Sequence, residues 1–93
     1  MTENNSRKRQ VIDFLNSIRR PGPALGAGDD HTPLIRSGFI DSLGVLEIIA
    51  FLERDFGLKF AARGINPGEL ETVANILDLI EAETTRRERV REG

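Results

Sequence analysis

The sequence predicts a small all-α fold, a bundle of short helices. Three observations lead there. Apolar residues recur at spacings of three and four in separate segments, as one face of a helix requires. No stretch alternates apolar and polar residues in the manner of a strand. Proline and glycine gather between the periodic segments rather than within them. With 93 residues, 39% of them apolar and 30% charged, the chain has the composition of one globular domain with a core of moderate size.

In the first helix Val11, Phe14, Leu15 and Ile18 follow the i, i+3, i+4, i+7 pattern. Ser6 is positioned as its N-cap, so residues 1–5 are expected to form a disordered leader. Arg19 and Arg20 suit the negative end of the helix dipole, and Pro21 ends the helix. Residues 21–33, "PGPALGAGDDHTP", read as a loop. A central helix starts after Asp41 as N-cap, with Ile40 and Val45 at the positions of a hydrophobic staple. Val45, Ile48, Ile49, Leu52 and Phe56 form its core stripe. Gly44 lies inside this helix at a cost of up to about 1 kcal/mol relative to alanine, which points to a local need for close approach or flexibility. "INPGEL" carries a capping-box pattern, Asn66 with Glu69, and Pro67 at the first helical position of a short helix. Thr72 can cap a last helix whose apolar face is Val73, Ile76, Leu77 and Ile80. The bundle is expected to end near residue 83, and 84–93 is a charged tail, a frayed helix end or disordered. There is no internal repeat.

Several function classes fall away. The chain has no cysteine, which excludes disulfides, thiolate metal sites and a protein thiol nucleophile. No signal-peptide pattern and no apolar run of membrane-spanning length occurs, so a cytoplasmic protein without membrane insertion is expected. Residues 29–83 carry eleven acids against four bases, between basic segments at 7–20 and 86–92. An acidic body argues against nucleic acid as partner and fits a basic protein surface. His31, the only histidine, stands beside Asp29 and Asp30, but a solvated turn explains that run better than a metal site. "GAG" at 26–28 lacks the strand and helix of a nucleotide-binding loop. Gly38 and Gly44 flank Ser42 at the wrong spacing for a nucleophile elbow.

The central helix raises a question of its own. At about 100° per residue, Leu43, Leu46 and Ala50 lie roughly opposite the core stripe, with Glu47 and Arg54 among them. Either another helix or the 21–33 loop covers them, or they form a docking surface. Ser42, in the first turn, sits where free backbone N–H groups favour negative charge, so a phosphate ester there is well placed. Serine is also simply common at helix starts.

The segment "GFIDSLGVLEIIAFLERDFGLKF", residues 38–60, resembles the modification-site helix of acyl and peptidyl carrier proteins, whose Asp-Ser-Leu signature matches Asp41-Ser42-Leu43. "DDHTPLIRSGFIDSL" is similar to the loop leading to that site, and "INPGELETVANILDLIEAE" to the third and fourth helices, so the likeness covers roughly residues 6–83. It implies a four-helix bundle with a long loop between helices I and II and a short helix III. It implies a non-enzymatic carrier, on which a phosphopantetheinyl transferase, with Mg²⁺, attaches 4′-phosphopantetheine from coenzyme A to Ser42. The arm's thiol then holds an acyl or aminoacyl group as a thioester, which accounts for thiol chemistry in a chain without cysteine. Asp41 matches the residue before the serine that the transferase recognises. Leu43, Leu46 and Ala50 match the apolar docking positions, and Glu47, Glu53 and Asp55 the acidic ones. Partners implied are the transferase, an adenylating ligase or acyltransferase that loads the arm, and downstream biosynthetic enzymes, with the carrier itself a monomer. Gly44 and Arg54 depart from the fatty-acid-synthesis carriers, which have acids there. The departure favours specialised acyl or aminoacyl chemistry. The rival reading is an unmodified helical interaction module that uses Leu43, Leu46 and Ala50 to hold a partner helix.

Overall fold

A hydrogen bond from Arg20 N to Phe39 O, 2.9 Å long, closes the base of the loop and brings the end of the first helix against the start of the second. The structure, a computed structural model, describes residues 2–26, 28–60 and 64–92. Three α-helices appear among them, α1 (Thr2–Ile18), α2 (Ser42–Phe56) and α3 (Val73–Glu92), with a single 3₁₀ turn at Pro67–Leu70 before α3. No strand occurs among the described residues, so the fold is all-helical.

Two expectations need correction, and for the tail the helical alternative is the one observed. The helix starts at Thr2, so Ser6 lies within α1 rather than capping it, and the backbone of 2–5 is helical. Once a helix is nucleated, each added residue gains a backbone bond at little cost, which lets it run past a plausible cap. At the other end α3 continues to Glu92, through a segment rich in Glu and Arg, both good helix formers. The tail's bases, Arg86, Arg87, Arg89 and Arg91, lie outside the described side chains. The "INPGEL" element is one 3₁₀ turn rather than an α-helix. Its capping box does form: Asn66 Oδ1 accepts from Gly68 N at 3.1 Å, and Glu69 Oε1 accepts from Asn66 N at 3.3 Å. Thr72 Oγ1 accepts from Asn75 N at 3.1 Å and caps α3 as its position predicts.

The core joins all three helices and the loop. Val11, Ile12 and Leu15 of α1 meet Ile48, Phe51 and Leu52 of α2 and Val73, Ile76, Leu79 and Ile80 of α3. Phe14 and Phe51 stack with ring centroids 4.1 Å apart, and Phe56 meets Phe51 edge-on at 5.6 Å, so aromatic contacts bind α1 to α2. The other stripe members, Ile18, Val45, Ile49 and Leu77, pack partly buried against the same cluster. The long loop contributes Leu25, Leu34 and Ile40, which are buried like helix residues.

The loop is also tied by polar bonds, and this is what fixes the entry into α2. Asn16 clamps Leu25 from both sides, donating from Nδ2 to Leu25 O at 3.2 Å and accepting from Leu25 N at Oδ1 at 2.8 Å. Lys8 Nζ lies 2.9 Å from Asp30 Oδ1 and 3.1 Å from Oδ2, while Asp30 O accepts from Ala74 N at 3.0 Å. Asp30 thus connects α1, the loop and α3. Leu34 N donates to Glu71 O at 2.8 Å, and Leu34 O accepts from Ile40 N at 3.1 Å. Between those two bonds the chain turns and delivers Ile40 and Asp41 to the first turn of α2.

Candidate functional site

Asp41 has an extended backbone, φ −100° and ψ −175°, and its Oδ1 accepts from Gly44 N at 3.0 Å. The cap predicted from sequence is therefore in place. It leaves the N–H groups of Ser42 and Leu43 at the open end of the helix, where among the described residues they have no acceptor. Ser42 is exposed, and its hydroxyl makes no hydrogen bond among the described residues. A solvent-facing alcohol thus stands beside two free donors at the positive end of a 15-residue helix.

Gly44 explains itself in the structure. A Cβ built on it would lie 3.0 Å from Ile40 Cβ, tighter than side chains tolerate without movement. Ile40 is 1% exposed and belongs to the core, so it has little room to yield. The position two residues after Ser42 faces inward and is filled by Ile40, which is the close approach that the sequence suggested. Gly44→Val should lower stability by about 1–3 kcal/mol through overpacking. Urea unfolding checks this, and an unchanged midpoint would mean that Ile40 moves aside.

The strip opposite the core stripe is uncovered. Leu43 is 67% exposed and Leu46 61%, and Ala50 and Glu47 are exposed with them. Neither a helix nor the loop among the described residues covers these side chains. Ile35, 44% exposed, is the third large apolar residue left in solvent among the described residues. Sequence reasoning missed it, because it lies in an aperiodic loop segment next to buried Leu34. Alternation with that neighbour was the only available signal.

The acidic positions separate in the structure. Glu47 has no polar partner among the described residues and stands free within the strip. Glu53 Oε2 accepts from Phe60 N at 3.3 Å, so this carboxylate also braces the turn after α2. That turn is made by Gly57 at φ 71°, a left-handed conformation suited to glycine, with its N–H donating to Leu52 O. Asp55 Oδ1 receives Arg54 Nε at 2.9 Å. By helical position Asp55 lies away from the strip, on the flank of Gly44, Phe51 and Ile48. Ser42, Leu43, Leu46, Glu47, Ala50 and Glu53 share one face; Asp55 does not. No cluster of three or more metal-ligating side chains occurs among the described residues, and none of their helices is long and apolar enough to cross a membrane.

Compared with models of known families, with characterised proteins and with solved structures, the chain matches none of them.

Proposed function

We propose that this protein is a carrier of the acyl- and peptidyl-carrier kind, holding an acyl or aminoacyl thioester on a 4′-phosphopantetheine arm attached through a phosphodiester to Ser42. The observation that carries the reading is the state of Ser42: an exposed, unbonded hydroxyl on the first residue of α2, directly followed by an uncovered apolar strip. The residues fit the group. The free Ser42 and Leu43 N–H groups suit a phosphodiester anion, and Asp41, by capping Gly44, keeps the helix start open and rigid. The arm supplies the thiol that the chain lacks.

On this reading the protein is not an enzyme. It presents its cargo by offering partners the face of Leu43, Leu46 and Ala50, with Glu47 and Glu53 meeting a basic surface. Charges of this sort orient an encounter more than they add affinity. Tethering raises the concentration of the bound intermediate at whichever enzyme docks. The helix order and the long loop leading to Ser42 agree with a carrier bundle whose third helix is reduced to the Pro67–Leu70 turn. The glycine at position 44, where the fatty-acid-synthesis carriers have an acid, favours specialised chemistry over bulk fatty-acid synthesis.

The test is intact-protein mass after incubation with coenzyme A, Mg²⁺ and a permissive phosphopantetheinyl transferase. The expected result is a gain of one phosphopantetheinyl group. No gain with several transferases, on a protein shown to be folded, would overturn the proposal. It would also favour the second reading, an unmodified interaction module, to which the exposure of Leu43 and Leu46 equally speaks.

A further inference from the structure

Beside the end of α1, the loop forms an open groove of about 320 Å³, with Pro21, Pro23 and Phe39 as apolar walls and Arg20, Asp29 and Ser37 as polar ones. We propose that this groove holds a short, carboxylate-bearing acyl group at the end of the Ser42-borne arm, with Arg20 as its anchor. The inference rests on the carrier reading and adds to it a class of cargo and a place for it.

Two adjacent arginines have different duties. Arg19 serves the helix end: its Nη1 donates to Asn16 O at 2.9 Å and its Nε to Gly22 O at 3.2 Å. Arg20 is held by its backbone, N–H to Phe39 O at 2.9 Å, but its guanidinium has no partner among the described residues. Asp29, on the same groove, already has Oδ2 committed to Gly26 N at 2.7 Å. Among the groove's side chains the Arg20 guanidinium and the Thr32 hydroxyl are left without a partner among the described residues, and a guanidinium pairs best with a planar carboxylate through two parallel bonds.

Size and reach are compatible with such a cargo. A volume near 320 Å³ is at the small end for ligand sites and has room for an acyl group of a few carbons. Phe39, on the groove wall, is three residues from Ser42, so their Cα atoms are at most about 11 Å apart. A phosphopantetheine arm spans more than that. An open groove binds a free ligand weakly, but tethering supplies an effective concentration in the millimolar range, so weak affinity suffices.

The test titrates S-succinyl-pantetheine and its uncharged counterpart S-butyryl-pantetheine into the unmodified protein, observed by amide NMR. The succinyl compound should shift Arg20, Ala24, Gly38 and Phe39 and bind about two- to fivefold more tightly than the butyryl one. Arg20→Gln, its fold checked by the same spectra, should remove that preference. With either acyl arm attached to Ser42, the same residues should respond, and more strongly to succinyl. Equal responses to the two acyl groups, shifts confined to other residues, or a preference unchanged in Arg20→Gln would overturn the proposal. The free compounds test the groove without any modification of Ser42. A failure to modify Ser42 therefore counts against the carrier reading, and a failure of succinyl selection counts against this one.

Discussion

Ser42→Ala is expected to abolish transfer of phosphopantetheine completely while leaving the protein as stable as before. Ser42 is exposed, lies on the first residue of α2 and bonds to nothing among the described residues, so losing its hydroxyl should change stability by less than about 0.5 kcal/mol. The combination of total loss and an unmoved unfolding midpoint is the informative result. A structural serine would move the midpoint, and an irrelevant one would leave transfer intact. Asp41→Ala makes the useful contrast. It removes the bond to Gly44 N and should cost about 0.5–2 kcal/mol as a lost cap, so any fall in transfer would mix recognition with loosening of the helix start. Urea unfolding beside a transferase assay separates the two variants.

The second large effect is on stability, and it arises in the loop. Leu34 is fully buried, and its backbone bonds on one side to Glu71 O and on the other to Ile40 N. Leu34→Ala should destabilise the protein by about 2–5 kcal/mol. That is a large part of the roughly 5–15 kcal/mol that holds a domain folded. The damage should reach the site, because Ile40 and Asp41 take their positions from that turn. Chemical denaturation gives the magnitude. Hydrogen exchange at Gly44 N, which Asp41 caps, should speed up well beyond exchange at Ile76. Equal acceleration at both amides would mean that Leu34 supports the whole core and not the helix entry in particular.

What the sequence made legible follows from periodicity. The stripes of all three helices were readable because a helix in contact with a core repeats at 3.6 residues, and Val11, Leu15, Ile48, Leu52, Val73, Ile76 and Ile80 are buried accordingly. Phe51 and Leu79 were not readable, as both lie at the edge of a stripe. Phe51 is drawn in by its stack on Phe14, a contact between distant parts of the chain. Leu25, Leu34, Leu58 and Phe60 were hidden for a different reason: they lie in aperiodic segments and are buried only by packing into the common core.

The site divides in the same way. Asp41 as cap, Ser42 on the first turn and the outward face of Leu43, Leu46 and Ala50 depend on local helical geometry, and local sequence revealed them. Whether that face is covered is a question of packing, and only the structure answers it. The sequence also grouped Glu47, Glu53 and Asp55 by charge alone. Placement separates them: Glu47 is free, Glu53 holds Phe60 N, and Asp55 pairs with Arg54 off the strip. Gly44 shows how the two levels meet, since its helix-weakening cost was visible in the sequence and its cause, Ile40, only in space.

The most direct test of the central claim is to locate the modification. Trypsin cleavage after Arg36 and Arg54 releases one peptide, Ser37–Arg54, that contains both Ser37 and Ser42. After reaction with coenzyme A and a transferase, fragmentation of that peptide by tandem mass spectrometry should place one phosphopantetheinyl group on Ser42. A group on Ser37, or an unmodified peptide from folded protein treated with several transferases, would contradict the account.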